Sequence, residues 1–229
     1  MEIDEIGSNL VGQLDILNTF LELFDVGKIK QKLIKNTLEN IRNEEVDGRT
    51  PTNAMLYGTP AKLLNGSKTE DELMSMLEIG YARRCFFGYS RGGCRATDLT
   101  PEQIFDLMTD KTTDNFVEGL SNQLAQLADP INFNQSIEMT RDVSLLLIEY
   151  RLACEAKASL LPEHEEIRKA ELSHRYFKAM KLAGTYAFID GAPQITEEHL
   201  YHAIKLAEES GMALDKLLTR ERNYVKLAN

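Results

Sequence analysis

Thr52-Asn-Ala-Met-Leu-Tyr-Gly-Thr-Pro60 decides how this 229-residue chain is read. Its short run to Tyr57 is stopped by Gly58-Thr59-Pro60, the pattern of a buried strand that ends in a loop. That makes the first part of the chain mixed in character rather than purely helical. Ahead of it, Leu10 to Lys35 spaces its apolar residues for a helix, with a break or bend expected at Gly27. The polar stretch Asn36 to Thr50, with Asp47-Gly48 as a turn signal, separates that helix from the strand. Behind it, Lys68 to Ile79 is expected to be a helix whose capping box pairs Thr69 with Glu72. Cys85-Phe-Phe-Gly-Tyr89 is then expected as a second short strand, running into the Gly-rich turn Ser90 to Gly93.

From Thr100 onward the pattern is helical. Thr100-Pro-Glu-Gln103 combines an N-cap, a proline at the first helical position and an acid in the first turn. Further helices are expected over Thr113–Ala128, Ser136–Leu160, Pro162–Ile189 and Thr196–Gly211, with Gly211 as a C-terminal stop. The fold class expected is therefore mainly α with a small α/β part, in two regions. Residues 1–98 form the partial α/β core and residues 99–229 a helical bundle, with the boundary between Gly93 and Leu99.

Composition narrows the function. With 43% hydrophobic and 27% charged residues the chain has the make-up of a globular protein, not a disordered one. No run approaches the length of a membrane-spanning helix. Met1 to Asn9 carries three acids and no apolar run, which speaks against a signal or transit peptide. Cys85, Cys94 and Cys154 lack zinc-site spacing and read as free thiols, so a cytoplasmic location is expected. The net charge of −10 argues against a globally basic nucleic-acid binder. Two segments run against that balance. Lys28, Lys30, Lys32 and Lys35 fall close together without an intervening acid, and so do Arg83, Arg84, Arg91 and Arg95. Such segments suit local anion contacts, including single-stranded DNA, as well as plain solvated faces.

Three further segments carry chemistry. Asp4-Glu5 followed by Ile6-Gly7 has the shape of an acidic strand end, in which one carboxylate holds magnesium and the next polarises a water. Asn53 and Thr59 lie at either end of a strand in the position of a phosphate sensor. Gly80-Tyr-Ala-Arg-Arg84 offers two guanidinium forks of the kind that clamp phosphoryl oxygens. Each has a plainer reading: a solvated terminus, a strand-to-turn transition, and ion pairs of the arginines with Asp71, Glu72 or Glu78. The histidines give little. His199 and His202, three apart, read as structural, and His164 and His174 as surface residues. Cys85 or Cys94 as a nucleophile lacks a matched histidine nearby in sequence.

Taken in order, these segments resemble the second half of a helicase-type ATPase, as found in phage and plasmid primase–helicase proteins of the RecA-like or superfamily 3-like kind. Asp25 to Asn36, Tyr57 to Leu64 and Gly80 to Gly88 carry the resemblance in the first region, and Ser173 to Ser210 in the helical one. The resemblance implies that Asp4 helps hold magnesium, Glu5 orients water and Thr59 or Asn53 senses the terminal phosphate. It further implies that Arg83 or Arg84 reaches a neighbouring subunit's nucleotide. One departure dominates: the chain contains no Gly-x-x-x-x-Gly-Lys-[Ser/Thr], the loop that cradles phosphates. ATP and Mg2+ are therefore expected only if a P-loop-bearing partner completes the site. That partner would be an N-terminal ATPase half on another chain, or the assembly a homo-oligomer. A non-enzymatic helical adaptor for a replication or other protein is the alternative.

Overall fold

The computed structural model describes residues 2–6, 12, 14–28, 52–90 and 99–227, with side chains as far as Thr219 except at 14, 15 and 26. It is mainly helical. Strand β1 (Glu2–Ile3) pairs in parallel with β2 (Met55–Leu56), in the register Glu2–Met55 and Ile3–Leu56. Backbone bonds from the Tyr57 amide to the Ile3 carbonyl and from the Ile6 amide to the Tyr57 carbonyl carry the ladder past both strand ends. Helix α1 (Leu14–Val26) stops at Gly27, whose φ of 69° lies in the left-handed region that ends helices. Helix α2 (Pro60–Leu63) starts with Thr59 as N-cap and proline at its first position.

Helix α3 (Lys68–Met76) is capped two residues earlier than expected. Ser67, not Thr69, is the N-cap, and its hydroxyl accepts from the Thr69 amide at 3.3 Å. The chain continues through a kinked stretch, Leu77–Tyr81, into α4 (Ala82–Arg84). The kink is at Gly80, where φ is 141°.

The stretch Cys85 to Tyr89 is extended but is not a strand. Side chains satisfy its backbone in place of a ladder. The Phe87 amide donates to the Ser210 hydroxyl at 2.8 Å, and the Cys85 carbonyl accepts from Lys178 at 3.1 Å. At these two groups the ordinary reason for a strand, an unpaired backbone group seeking a neighbour, is removed.

Helix α5 (Pro101–Thr109) has the full capping box read from the sequence, between Thr100 and Gln103. Helix α6 (Thr112–Leu127) follows, then a single 3-10 turn over Pro130–Asn132. Strand β3 (Glu138–Met139) precedes α7 (Arg141–Ser159). It pairs in parallel with β4 (Gln194–Ile195), which lies between α8 (Glu166–Ile189) and α9 (Glu197–Leu227). This second two-stranded sheet was not expected, because two-residue strands leave no periodicity to read. Helix α9 also runs through Gly211 instead of stopping there.

Among the described residues two apolar clusters hold the fold. One joins Val143 and Leu147 of α7 with Ala179, Ala183 and Ala187 of α8 and with Leu200, Ala203 and Ala207 of α9. The alanines let the three helices approach closely, and all five are fully buried. The other joins Ile6, Leu17, Leu63, Leu73, Leu77 and Tyr81 with Leu214 and Leu218 of α9. This second core contains residues from both sides of the interval between Gly93 and Leu99, so the α/β part and the helical part are packed on one another. Helix α4 lies against α8, and Tyr81 donates its hydroxyl to the Leu17 carbonyl at 2.7 Å, with burial pushing its pKa up to about 12. No helix among the described residues is long and apolar enough to cross a membrane.

Candidate functional site

The parallel pairing of β1 with β2 brings the acidic strand end and the sensor segment together. Glu5, immediately past β1, accepts from the Thr59 hydroxyl at 3.0 Å and from Lys62 at 3.4 Å. The Thr59 amide reaches the same carboxylate at 3.5 Å. These contacts span more than fifty residues of sequence and depend on the strand register. The Thr59 hydrogen bond, assisted by Lys62, holds the Glu5 carboxyl below the usual glutamate range. Glu5 itself has φ of 53°, a left-handed conformation that costs a non-glycine residue energy. Gly58 permits the close approach. A Cβ there would stand 2.7 Å from Leu63 Cδ1 and 2.9 Å from Ile6 Cγ2. Asp4 lies exposed beside Glu5.

Ile6, Gly58 and Pro60 flank this cluster and also line a groove of about 780 Å³. Asn53, Arg83 and Arg84 line the same groove. Its floor and walls are mostly apolar and aromatic, with Phe20, Phe24, Phe87 and Phe177 among them. The two arginines fold back over Gly80. A Cβ at Gly80 would meet Arg84 Nη1 at 2.5 Å and Arg83 Nη2 at 3.3 Å. Arg84 Nη1 donates to the Gly80 carbonyl, and Arg84 Nε donates to Asp25 at 2.8 Å. The partner of Arg84 is therefore Asp25, at the end of α1, and not Asp71, Glu72 or Glu78. This pair raises the Arg84 pKa and holds the Asp25 carboxyl below its ordinary value. Arg83 leaves its Nε buried with no hydrogen-bond partner among the described residues.

The other sequence candidates fall elsewhere. Lys28 is exposed after the end of α1. Lys30, Lys32 and Lys35 lie outside the described residues, as do Arg91, Cys94 and Arg95. His199 is structural: its Nδ1 accepts from the Thr196 amide, the Thr196 hydroxyl accepts from the His199 amide, and Nε2 meets Asp190 at 3.0 Å. This is a capping box with histidine in the place of glutamate. His202 is exposed, 3.7 Å from Glu198. Cys85 is unsuited to nucleophilic chemistry, since burial pushes its thiol up to about 11.

Sequence reasoning missed a buried ionic cluster behind the groove. Glu171, Arg175 and Lys178 follow one face of α8 at spacings of four and three, and each is less than a tenth exposed. Lys178 Nζ and Arg175 Nη2 both donate to Glu171 at 2.6 Å, and Arg175 Nη1 donates to Glu208 of α9 at 2.8 Å. Tyr150 of α7 donates to the other Glu208 oxygen at 2.8 Å. Burial lowers the Lys178 pKa in spite of Glu171. The spacing was visible as a helix-face pattern, but nothing in it distinguishes a buried face from a solvated one.

Among the described residues no group of three or more His, Cys, Asp or Glu is placed to hold a metal ion. The adjacent carboxylates of Asp4 and Glu5 are a donor set that suits magnesium, which is commonly held by one or two carboxylates and keeps most of its water. No protein-family model matches the chain, and no curated protein or solved structure does either.

Proposed function

We propose that this chain is a component of a phage-type DNA replication helicase–ATPase, supplying the acidic, sensor and arginine elements of a nucleotide site. The observation that carries the reading is the Thr59–Glu5 hydrogen bond at the carboxyl ends of two adjacent parallel strands. In parallel α/β arrangements, ligands gather at that end of the strands. The strained backbone of Glu5 supports it, since a carboxylate fixed at an energetic cost is more characteristic of a working site than of a solvated terminus.

In this reading Asp4 would hold the magnesium ion, which would supply charge stabilisation, and Glu5 would accept a hydrogen bond from the attacking water. Thr59 fixes the Glu5 carboxylate and keeps it ionised. Arg83 and Arg84 present positive charge in the groove that Asn53 shares, Arg84 by exchanging Asp25 for a phosphoryl oxygen. Magnesium-bound ATP supplies the leaving group and the charge to be stabilised, and its phosphates require a P-loop from outside this sequence.

The test is ATP hydrolysis by the chain alone and mixed with a P-loop-bearing replicative ATPase subunit, with magnesium present. Hydrolysis that arises only in the mixture and is lost in Glu5→Gln supports the reading. If Glu5→Gln leaves the rate of the mixture unchanged, or no mixture is active, the ATPase reading is abandoned.

A non-enzymatic helical adaptor is the second reading, favoured by a different observation. Helices α5 and α6 have no buried residue and expose large apolar side chains.

A further inference from the structure

The outer face of α7 carries a second apolar pattern, on the side away from its core contacts. Arg141, Leu145, Ile148, Leu152 and Glu155 follow one another at spacings of four, three, four and three. At about 100° per residue they all fall within roughly 40° of one line along the helix, the narrow seam of a coiled coil. The buried residues Val143, Leu147 and Cys154 lie on the far side of the helix. Leu145, Ile148 and Leu152 are 42%, 49% and 59% exposed, so nothing among the described residues covers the seam.

The seam ends in opposite charges. Arg141 opens it, exposed and with no ion pair among the described residues. Glu155 closes it. Its Oε1 accepts from Arg151 Nε at 2.7 Å, and its Oε2 takes no hydrogen bond among the described residues. Arg141 and Glu155 each stand seven residues from Ile148, one before it and one after it. A two-fold axis beside Ile148 that runs two such helices antiparallel therefore sets Arg141 against Glu155 of the second copy, twice, and Leu145 against its Leu152. Parallel pairing would set each charge against its own copy. The face is thus its own complement in one orientation only. Glu149 flanks the seam beside the axis and meets its own copy there, an exposed like-charge contact of small cost.

We propose that two copies of this chain associate through α7, packed antiparallel, with Leu145, Ile148 and Leu152 interleaved along the seam and two Arg141–Glu155 pairs closing its ends. The contact is isologous, so the assembly stops at a dimer. One helix face is small for an interface, which sets the affinity in the micromolar range and makes the dimer depend on concentration. No residue of α7 lines the groove beside the candidate site. The dimer leaves that groove and the Glu5–Thr59 pair open, and it forms whether or not the chain takes part in ATP hydrolysis.

The test is sedimentation equilibrium of the full chain across the micromolar range, for the unmodified protein and for Ile148→Asp, Arg141→Glu and Glu155→Arg. All three side chains are at least partly exposed, so no substitution opens a core cavity, and circular dichroism checks that each variant is folded. The unmodified chain is expected to pass from protomer to dimer mass as concentration rises. Ile148→Asp is expected to stay at the protomer mass throughout. Each charge variant alone is expected to weaken the dimer on the order of tenfold, since both end pairs become repulsive. An equimolar mixture of Arg141→Glu with Glu155→Arg restores two attractive pairs and is expected to regain the unmodified affinity. An unmodified chain that stays at the protomer mass at the highest concentration overturns the proposal. So does an Ile148→Asp variant that still dimerises, which would move the contact to the exposed faces of α5 and α6. Charge variants that dimerise like the unmodified chain, or a mixture as weak as its components, overturn the antiparallel pairing and the proposal with it.

Discussion

The guanidinium of Arg175 packs directly against Gly211, so that a Cβ added at Gly211 would overlap Arg175 Nη2 and Cζ. Helix α9 thus passes through this glycine because the arginine of α8 occupies the side-chain position. Gly211→Ala, a change that ordinarily favours a helix, is expected to destabilise the protein by about 2–4 kcal/mol, through displacement of Arg175 from Glu171. Urea denaturation of the variant checks this. A more stable variant would show that Arg175 has another equally good position.

Glu171 is the anion that Arg175 and Lys178 share, and its residue is only 2% exposed. Glu171→Gln removes the carboxylate of Lys178 and leaves Arg175 with Glu208, 2.8 Å from its Nη1. The expected cost is about 3–5 kcal/mol, the range for breaking a buried ion pair by removing one member. Because Lys178 also holds the Cys85 carbonyl, hydrogen exchange at Phe86 to Gly88 is expected to quicken in the same variant.

The contrast between those residues and the capping segments shows what was legible in the sequence. Thr100 with Gln103 and the halt at Gly27 were readable, since each is a local rule satisfied within a few residues. A strand at Met55–Leu56 was also readable from its Gly-Thr-Pro stop, but it is only two residues long and Met55 is exposed, where a buried strand was expected. What escaped was long-range. Arg84 found Asp25, fifty-nine positions away, because the kink at Gly80 aims it across the groove, while the acids closer in sequence point elsewhere. Cys85 to Tyr89 had strand composition but found side-chain partners on α8 and α9 before any strand. Glu5 and Thr59 were each named from sequence, yet their hydrogen bond is a product of the β1–β2 register alone.

Gly80 carries both arginines and the kink. With φ at 141°, a side chain there is strained before any contact is considered, and it would also meet the Arg84 and Arg83 guanidinium groups. Gly80→Ala is expected to cost about 1–3 kcal/mol and to release Arg84 from Asp25. Thermal denaturation measures the first. Comparison with Arg84→Ala in a double-mutant cycle measures the second, with the effects expected to be markedly less than additive.

The Asp25–Arg84 pair predicts a specific acid limb. The Asp25 carboxyl is held below its ordinary value, chiefly by hydrogen bonds from Arg84, so its contribution is fully present above the unfolded value. That contribution is lost as pH falls through the lower, folded value. Asp25→Asn is expected to reduce stability by about 0.5–1 kcal/mol near neutrality, the modest figure reflecting a partly exposed pair. The difference from the unmodified chain should shrink as the solution is made acidic. Denaturation curves at several pH values test it, and a difference that grows toward low pH would contradict the assignment.

Thr59 sets the ionisation of Glu5, and that link can be read without any nucleotide. Its hydroxyl is the largest influence lowering the Glu5 carboxyl, ahead of Lys62. Thr59→Val removes the hydroxyl at nearly constant shape, and the Glu5 titration midpoint is expected to move up toward the ordinary glutamate value. Thr59→Ser should leave it depressed. Carboxyl-carbon NMR of Glu5 across the acid range follows both variants. A midpoint unmoved in Thr59→Val would transfer the effect to Lys62, and Lys62→Met should then move it instead. In the proposed ATPase the same series separates two roles of the threonine. A residue that only orients Glu5 should lose activity in step with the carboxyl shift. One that also contacts phosphate should lose activity in Thr59→Val beyond what returning Glu5 to an ordinary pKa explains.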